Sequence, residues 1–121
     1  MLALTAAVRI YLYSRPADMR KGADGLSGLV LGEMKADPLS GAVFVFCNRR
    51  RTMIKLLYWD RDGYAVWMKR LERGCFRLPP DGQPDSEVDR TTLSMMLEGV
   101  IALRRLKRYR HGQKKCPEMK L

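Results

Sequence analysis

Val43-Phe44-Val45-Phe46-Cys47, then Asn48-Arg49-Arg50-Arg51, then Thr52-Met53-Ile54-Lys55-Leu56-Leu57-Tyr58-Trp59 is the stretch that decides the fold. Two apolar, β-branched and aromatic runs flank four polar residues, of which Asn48 is turn-prone. That pattern predicts a β-hairpin with arginines at its tip. Both alternation sets of the first run, Val43/Val45/Cys47 and Phe44/Phe46, are apolar. A strand of that kind has no face for water, so the sheet is expected to be covered on both sides, by helices on one and a partner on the other.

Working outward, Asp60-Arg61-Asp62-Gly63 reads as a second turn and Tyr64 to Leu71 as a further strand, which makes an antiparallel meander. Arg73 to Leu78 is expected to add a short edge strand, stopped by Pro79-Pro80, and Asp81 to Ser86 has the composition of a linker. Upstream, Val8 to Tyr13 reads as a first strand closed by Pro16, and Asp37-Pro38-Leu39-Ser40-Gly41 as a turn into the hairpin. Between them Met19, Ala23, Leu26, Val30 and Met34 recur at helical steps, with Asp18 available as a cap. Gly22, Gly25, Gly28 and Gly32 weaken that helix. They imply either a late start near Asp24 or a close approach to the sheet. Leu93, Met96, Leu97, Val100 and Ile101 form a clean apolar stripe, with Asp89 or Thr91 as N-cap.

The expected fold is therefore α+β: an antiparallel β-meander sheet with two helices packed on it and a basic C-terminal tail. Residues 1–106 make a single domain and residues 107–121 a flexible tail. With 121 residues and 46% hydrophobic content the chain can bury a core without metal or disulfide staples. No apolar run approaches the roughly 20 residues of a membrane span, and the first residues lack the pattern of a signal peptide, so a cytoplasmic protein is expected. Three widely spaced cysteines, Cys47, Cys75 and Cys116, fit reduced thiols, and the single His111 argues against a zinc site.

Charge carries the functional signal. From Arg104 onward there are eight Lys/Arg against Glu118 alone, whereas residues 1–103 hold fifteen bases and twelve acids. The tail is a basic arm on a nearly balanced body, in which Arg49, Arg50 and Arg51 are the main local concentration. Such clusters suit phosphate contacts. The candidate DNA-binding set is Arg49, Arg50 and Arg51, extended by Lys55, Lys69, Arg70 and Arg73, with Arg104, Arg105, Lys107 and Arg108 from the arm. The plainer alternative is a solvated turn and a solubilising tail.

Other chemistries fit less well. A metal-dependent nuclease would need Asp18, Asp60, Asp62 and Glu72 to converge with a lysine such as Lys55 or Lys69, and Glu33-x-Lys35 falls on a helix, not a strand. One histidine in the tail leaves no Ser-His-Asp or Cys-His relay in the body, and Lys21-Gly22-Ala23-Asp24-Gly25 matches neither phosphate-loop spacing. Tyr58, Trp59, Tyr64 and Trp67 could stack bases, though their strand spacing suits core packing better. No catalytic residue, cofactor or metal is expected.

Asp18-Met19-Arg20-Lys21-Gly22, Asp37-Pro38-Leu39-Ser40-Gly41, Asn48-Arg49-Arg50-Arg51 running to Lys55-Leu56-Leu57-Tyr58-Trp59-Asp60, Asp62-Gly63-Tyr64, Lys69-Arg70-Leu71-Glu72-Arg73-Gly74 and Leu97-Glu98-Gly99 follow in a familiar order. Over residues 8 to 106 the chain resembles the TnpB-type, second-open-reading-frame proteins of the bacterial insertion sequence sixty-six family. The resemblance implies a non-catalytic accessory protein of DNA transposition, encoded beside a separate transposase. DNA is the expected partner, with docking on that transposase as the alternative. Cys75 departs from the more usual polar or basic residue there, and the tail past His111 is outside the shared pattern.

Overall fold

The computed structural model describes residues 7–77 and 87–98. Its elements are β1 (Ile10–Pro16), α1 (Ala23–Gly32), β2 (Val43–Cys47), β3 (Met53–Asp60), β4 (Gly63–Arg70), β5 (Glu87–Val88) and α2 (Arg90–Glu98). One mixed sheet runs β4-β3-β2-β1-β5. The α+β fold, the meander and both helices are as expected, while the way β1 joins the sheet is new. It lies parallel to β2, with Ile10 beside Val43 and Leu12 beside Val45, so that β1, α1 and β2 form a βαβ unit on the edge of the meander. Parallel neighbours need a crossover of this length, which the glycine-rich helix provides. A register shift between Leu12 and Pro16 lets β1 end on a residue without an N–H, and the Ala17 N–H bonds the Cys47 carbonyl instead.

The central strand β2 is buried along its whole length. On one face Phe44, Phe46, Tyr13 and Leu57 pack with Leu26 and Val30 of α1. On the other Val43, Val45, Ile10, Leu12, Ile54 and Leu56 pack with Phe76 and with Leu93 and Met96 of α2. The helices thus lie on opposite faces, which corrects the expectation of helices on one side and a partner on the other: α2 takes the second face. Arg73 to Arg77 forms no strand. Phe76 plugs the α2-side core and is fully buried. The edge next to β1 is made by β5.

Cap assignments follow from backbone geometry. Asp89 caps α2, its Oδ1 accepting the Thr92 N–H at 2.6 Å, a bond that holds this carboxyl below its ordinary range. Asp18 does not cap α1, which starts late, after Gly22. It instead accepts the Arg20 N–H at 2.9 Å and the Arg20 guanidinium at 2.8 Å. The glycines do not mark close contact with the sheet: a Cβ on Gly28 or Gly32 would meet nothing within 4 Å, and one on Gly25 would meet only Lys21 at 3.0 Å. Glu33, at the end of α1, accepts the Tyr13 hydroxyl at 2.7 Å and pairs with Arg15 at 2.8 Å, tying the helix end to β1. Among the described residues no helix is long and apolar enough to cross a membrane.

Since Phe44 sits at the centre of the α1-side core with 0% exposure, Phe44→Ala should cost about 3–5 kcal/mol. Leu31→Ala on the open side of α1, where Leu31 is 61% exposed, should stay within about 0.5 kcal/mol. Urea unfolding of the two variants measures the difference.

Candidate nucleic-acid interface

The β2–β3 turn is organised by one side chain. Asn48 Oδ1 accepts the N–H groups of Thr52 at 2.9 Å and Met53 at 3.1 Å, while its Nδ2 donates to Thr52 Oγ1 at 3.1 Å. Its carbonyl takes the Arg51 N–H at 3.0 Å. Satisfying four polar groups at once lets the chain reverse over Arg49 and Arg50, whose side chains are left exposed. Arg51 differs from them. It has φ 61, in the left-handed region, it is half-buried, and its carbonyl accepts the Phe76 N–H. Two arginines therefore stand at the tip, with the third folded back toward the core.

The same turn gathers charge from elsewhere. Leu71 N–H bonds the Thr52 carbonyl at 2.8 Å, so the segment leaving β4 runs alongside and brings Arg70, Arg73 and Arg77 to this end of the sheet. Because Ala17 N–H bonds the Cys47 carbonyl at 2.9 Å, the loop after β1 arrives there too, with Arg20 and Lys21. Arg49, Arg50, Arg51, Arg70, Arg73, Arg77, Arg20 and Lys21 share this end with Asp18 and Glu72, and with Arg15, which pairs with Glu33. Asp18 pairs with Arg20, which holds its carboxyl well below the usual range, and Glu72 pairs with Arg70 at 3.4 Å. Both pairs are exposed and contribute little to stability, so an anion of higher charge density can displace either carboxylate. The opposite end of the strands carries Asp60, Asp62 and, in the turn before β2, Asp37, together with Arg61 and Arg9.

Lys55 and Lys69 leave the candidate surface. Lys55 Nζ donates to the carbonyls of Met19 at 2.8 Å and Lys21 at 2.9 Å, pinning the loop before α1 against β3. Lys69 Nζ donates to the Leu97 carbonyl at 2.7 Å, placing a cation at the C-terminal end of α2, where the helix dipole favours it. Arg70 and Arg73 are exposed beside the tip. Arg104, Arg105, Lys107 and Arg108, with the whole tail, lie outside the described residues. Arg20, Lys21 and Arg77 had no place in the sequence-based set, because only the β1–β2 pairing and the Phe76 contact bring them near the hairpin.

The other constellations separate. Asp18 lies at the basic end and Asp60 and Asp62 at the other, an eight-residue strand apart, roughly 23 Å at a strand's rise, so these carboxylates cannot share an ion. Among the described residues no three His, Cys, Asp or Glu side chains are placed to hold a metal. The aromatic platform dissolves as well: Tyr58 and Trp67 pack on the α2-side core, and Trp59 meets Tyr64 edge-on at 5.1 Å. Cys47 is a free buried thiol, as expected. Burial pushes it up to about 12, against the smaller opposing effects of Arg51 and the Asn48 N–H, so it is no nucleophile at neutral pH. Cys75 is disulfide-bonded, contrary to the expectation of three reduced thiols.

A family model described as "IS66 Orf2 like protein" matches residues 8–108. The chain is 32% identical over 100 residues to the uncharacterized protein y4jC of Sinorhizobium fredii (strain NBRC 101917 / NGR234), covering 83% of this chain and 86% of that one. It is also 32% identical over 93 residues to the uncharacterized protein y4hO of the same strain, covering 77% of this chain and 81% of that one. No solved structure matches.

Two outcomes follow from this geometry. Asn48→Ala strands the buried turn donors and should cost about 1–3 kcal/mol in denaturant unfolding. Cys47 ionises near its ordinary value of about 8.5 once unfolded but only at about 12 when folded. The unfolded chain therefore releases its proton first, and stability falls as pH rises from about 9 toward 12. Cys47→Ala should flatten that alkaline slope relative to wild type, as read by urea midpoints across the range.

Proposed function

Because the chain belongs to the family of IS66 Orf2-like proteins, we propose that it is a non-catalytic accessory factor of DNA transposition that grips duplex DNA by its phosphates. Family membership supports the transposition role. The single observation that supports the DNA contact is the convergence of Arg49, Arg50, Arg70, Arg73, Arg77, Arg20 and Lys21 on one end of the sheet, from three separate stretches of chain. Guanidiniums on a rigid turn suit phosphate oxygens, which accept paired N–H donors, and each phosphate neutralised releases condensed counterions. The absence of Tyr58, Trp59, Tyr64 and Trp67 from this end favours backbone contact over the stacking that single strands use. The second sheet face, where a partner was expected, is covered by α2, which weighs against the transposase docking there.

Mobility shifts over a salt series, on element ends and on random duplex, test the reading. Wild type should bind both, and Arg49→Ala with Arg50→Ala should reduce the slope of log affinity against log salt by about 2, at about 0.9 per lost phosphate contact. Arg61→Asn, at the acidic end, should leave the slope unchanged. No binding by wild type, or an unchanged slope in the double variant, would sink the proposal. Co-purification with the transposase that survives nuclease digestion would favour protein docking instead.

A further inference from the structure

Among the described residues β4 is paired on one side only, and it is a long edge: eight residues, Gly63–Arg70, with no proline and no bulge in its register. Natural sheets usually blunt such an edge. Here the α1-side residues of the strand are Tyr64, Val66, Met68 and Arg70, and Val66 and Met68 remain 39% and 50% exposed. The two-residue turn at Arg61-Asp62 makes Asp60 and Gly63 a hydrogen-bonded pair, so odd-numbered residues of β4 direct their backbone groups to β3. The bond from the odd-numbered Leu71 N–H to Thr52 keeps that alternation. The backbone groups of Tyr64, Val66, Met68 and Arg70 therefore face outward.

We propose that β4 is a self-association edge, where a second copy of this chain adds its own β4 antiparallel about a two-fold axis at Val66, giving one continuous sheet. Charge and side-chain matching select that register. Residues directly opposite across antiparallel strands share a face, so only registers that keep Tyr64, Val66, Met68 and Arg70 on the α1 side are allowed. With the axis at Val66, Val66 meets Val66 of the other copy, Met68 meets Tyr64, and Arg70 meets Asp62, the last two contacts occurring twice by symmetry. Moving the axis to Trp67 sets Glu72 of one copy against Asp62 of the other, a like-charge pair. Moving it to Ala65 also opposes charges, Arg70 with Asp60, but sets the apolar Met68 against Asp62. The Val66 register forms about six ladder hydrogen bonds across the three pairs Tyr64–Met68, Val66–Val66 and Met68–Tyr64. It brings the basic end of each copy beside the acidic turn of the other, so opposite charges meet at both ends. Arg70 gives up its exposed 3.4 Å pairing with Glu72 and, in the dimer, leaves the phosphate contacts to Arg49, Arg50 and their other neighbours. The two tips bearing Arg49 and Arg50 then point away from each other, one at each end of the joined sheet.

Sedimentation equilibrium and light scattering on the full chain over a concentration series test this without any reference to DNA. Wild type should show a concentration-dependent dimer. Val66→Pro removes an N–H that the single copy does not use, so it should leave the circular dichroism spectrum and cooperative unfolding intact while giving a monomer. Arg70→Asp should weaken the dimer about tenfold or more, and Asp62→Arg combined with Arg70→Asp should restore it. Monomer mass for wild type at every concentration overturns the proposal, as does a dimer unmoved by Val66→Pro. A dimer broken by Val66→Pro but indifferent to Arg70→Asp overturns the register.

Discussion

A strand buried on both faces needs a layer on each side, and the five residues of β2 impose that requirement on the whole chain. The chain meets it by splitting its helices. The first crosses between β1 and β2 and covers Phe44 and Phe46; the second arrives after the meander and, with Phe76, covers Val43, Val45 and Cys47. Nearly everything that distinguishes the basic end follows from this arrangement. The crossover returns the loop carrying Arg20 and Lys21 to the end of β2, and the run to Phe76 draws Arg70, Arg73 and Arg77 past the hairpin turn.

Local signals in the sequence were enough for the elements themselves. Runs of β-branched and aromatic residues between turns marked β2, β3 and β4, the apolar stripe marked α2, and the glycines around Asp24 anticipated the late start of α1. Pairing was harder to read. Nothing local to Ile10–Pro16 says that it runs parallel to β2; that follows from a helix standing between two strands, which is a topological argument. The placement of Phe76 was hidden for a similar reason. Arg73 to Leu78 has strand-like composition, yet Phe76 is fully buried in the α2-side core with Leu93 and Met96, a placement that only the assembled fold reveals.

The candidate interface was half legible for the same reason. Exposed arginines in a turn, Arg49 and Arg50, are found by composition, because a turn between buried strands must face water. Which other cations join them depends on long-range contacts: Arg20 comes through a strand end about thirty residues before the tip, and Arg77 through a buried phenylalanine more than twenty residues after it. Counting charge along the sequence therefore missed the gathering of most of these arginines at one end of the strands, with Asp60 and Asp62 at the other beside Arg61.

Lysine and arginine part company on physical grounds. A lysine ammonium is compact and presents three donors at the end of a flexible stem, so Lys55 can cross the α1-side face and satisfy two backbone carbonyls, and Lys69 can close the end of α2 on the other face. Their apolar stems add to the packing around them. A guanidinium spreads its donors over a planar fork that two stray carbonyls cannot satisfy, and Arg49, Arg50 and Arg73 stay in solvent, where a phosphate can engage two donors at once. The sheet thus takes Lys55 and Lys69 inward to fasten a loop and a helix and leaves Arg49, Arg50 and Arg73 exposed at one end. Charge that looked equivalent in the sequence divides by side-chain shape into a structural set and a set available to a polyanion.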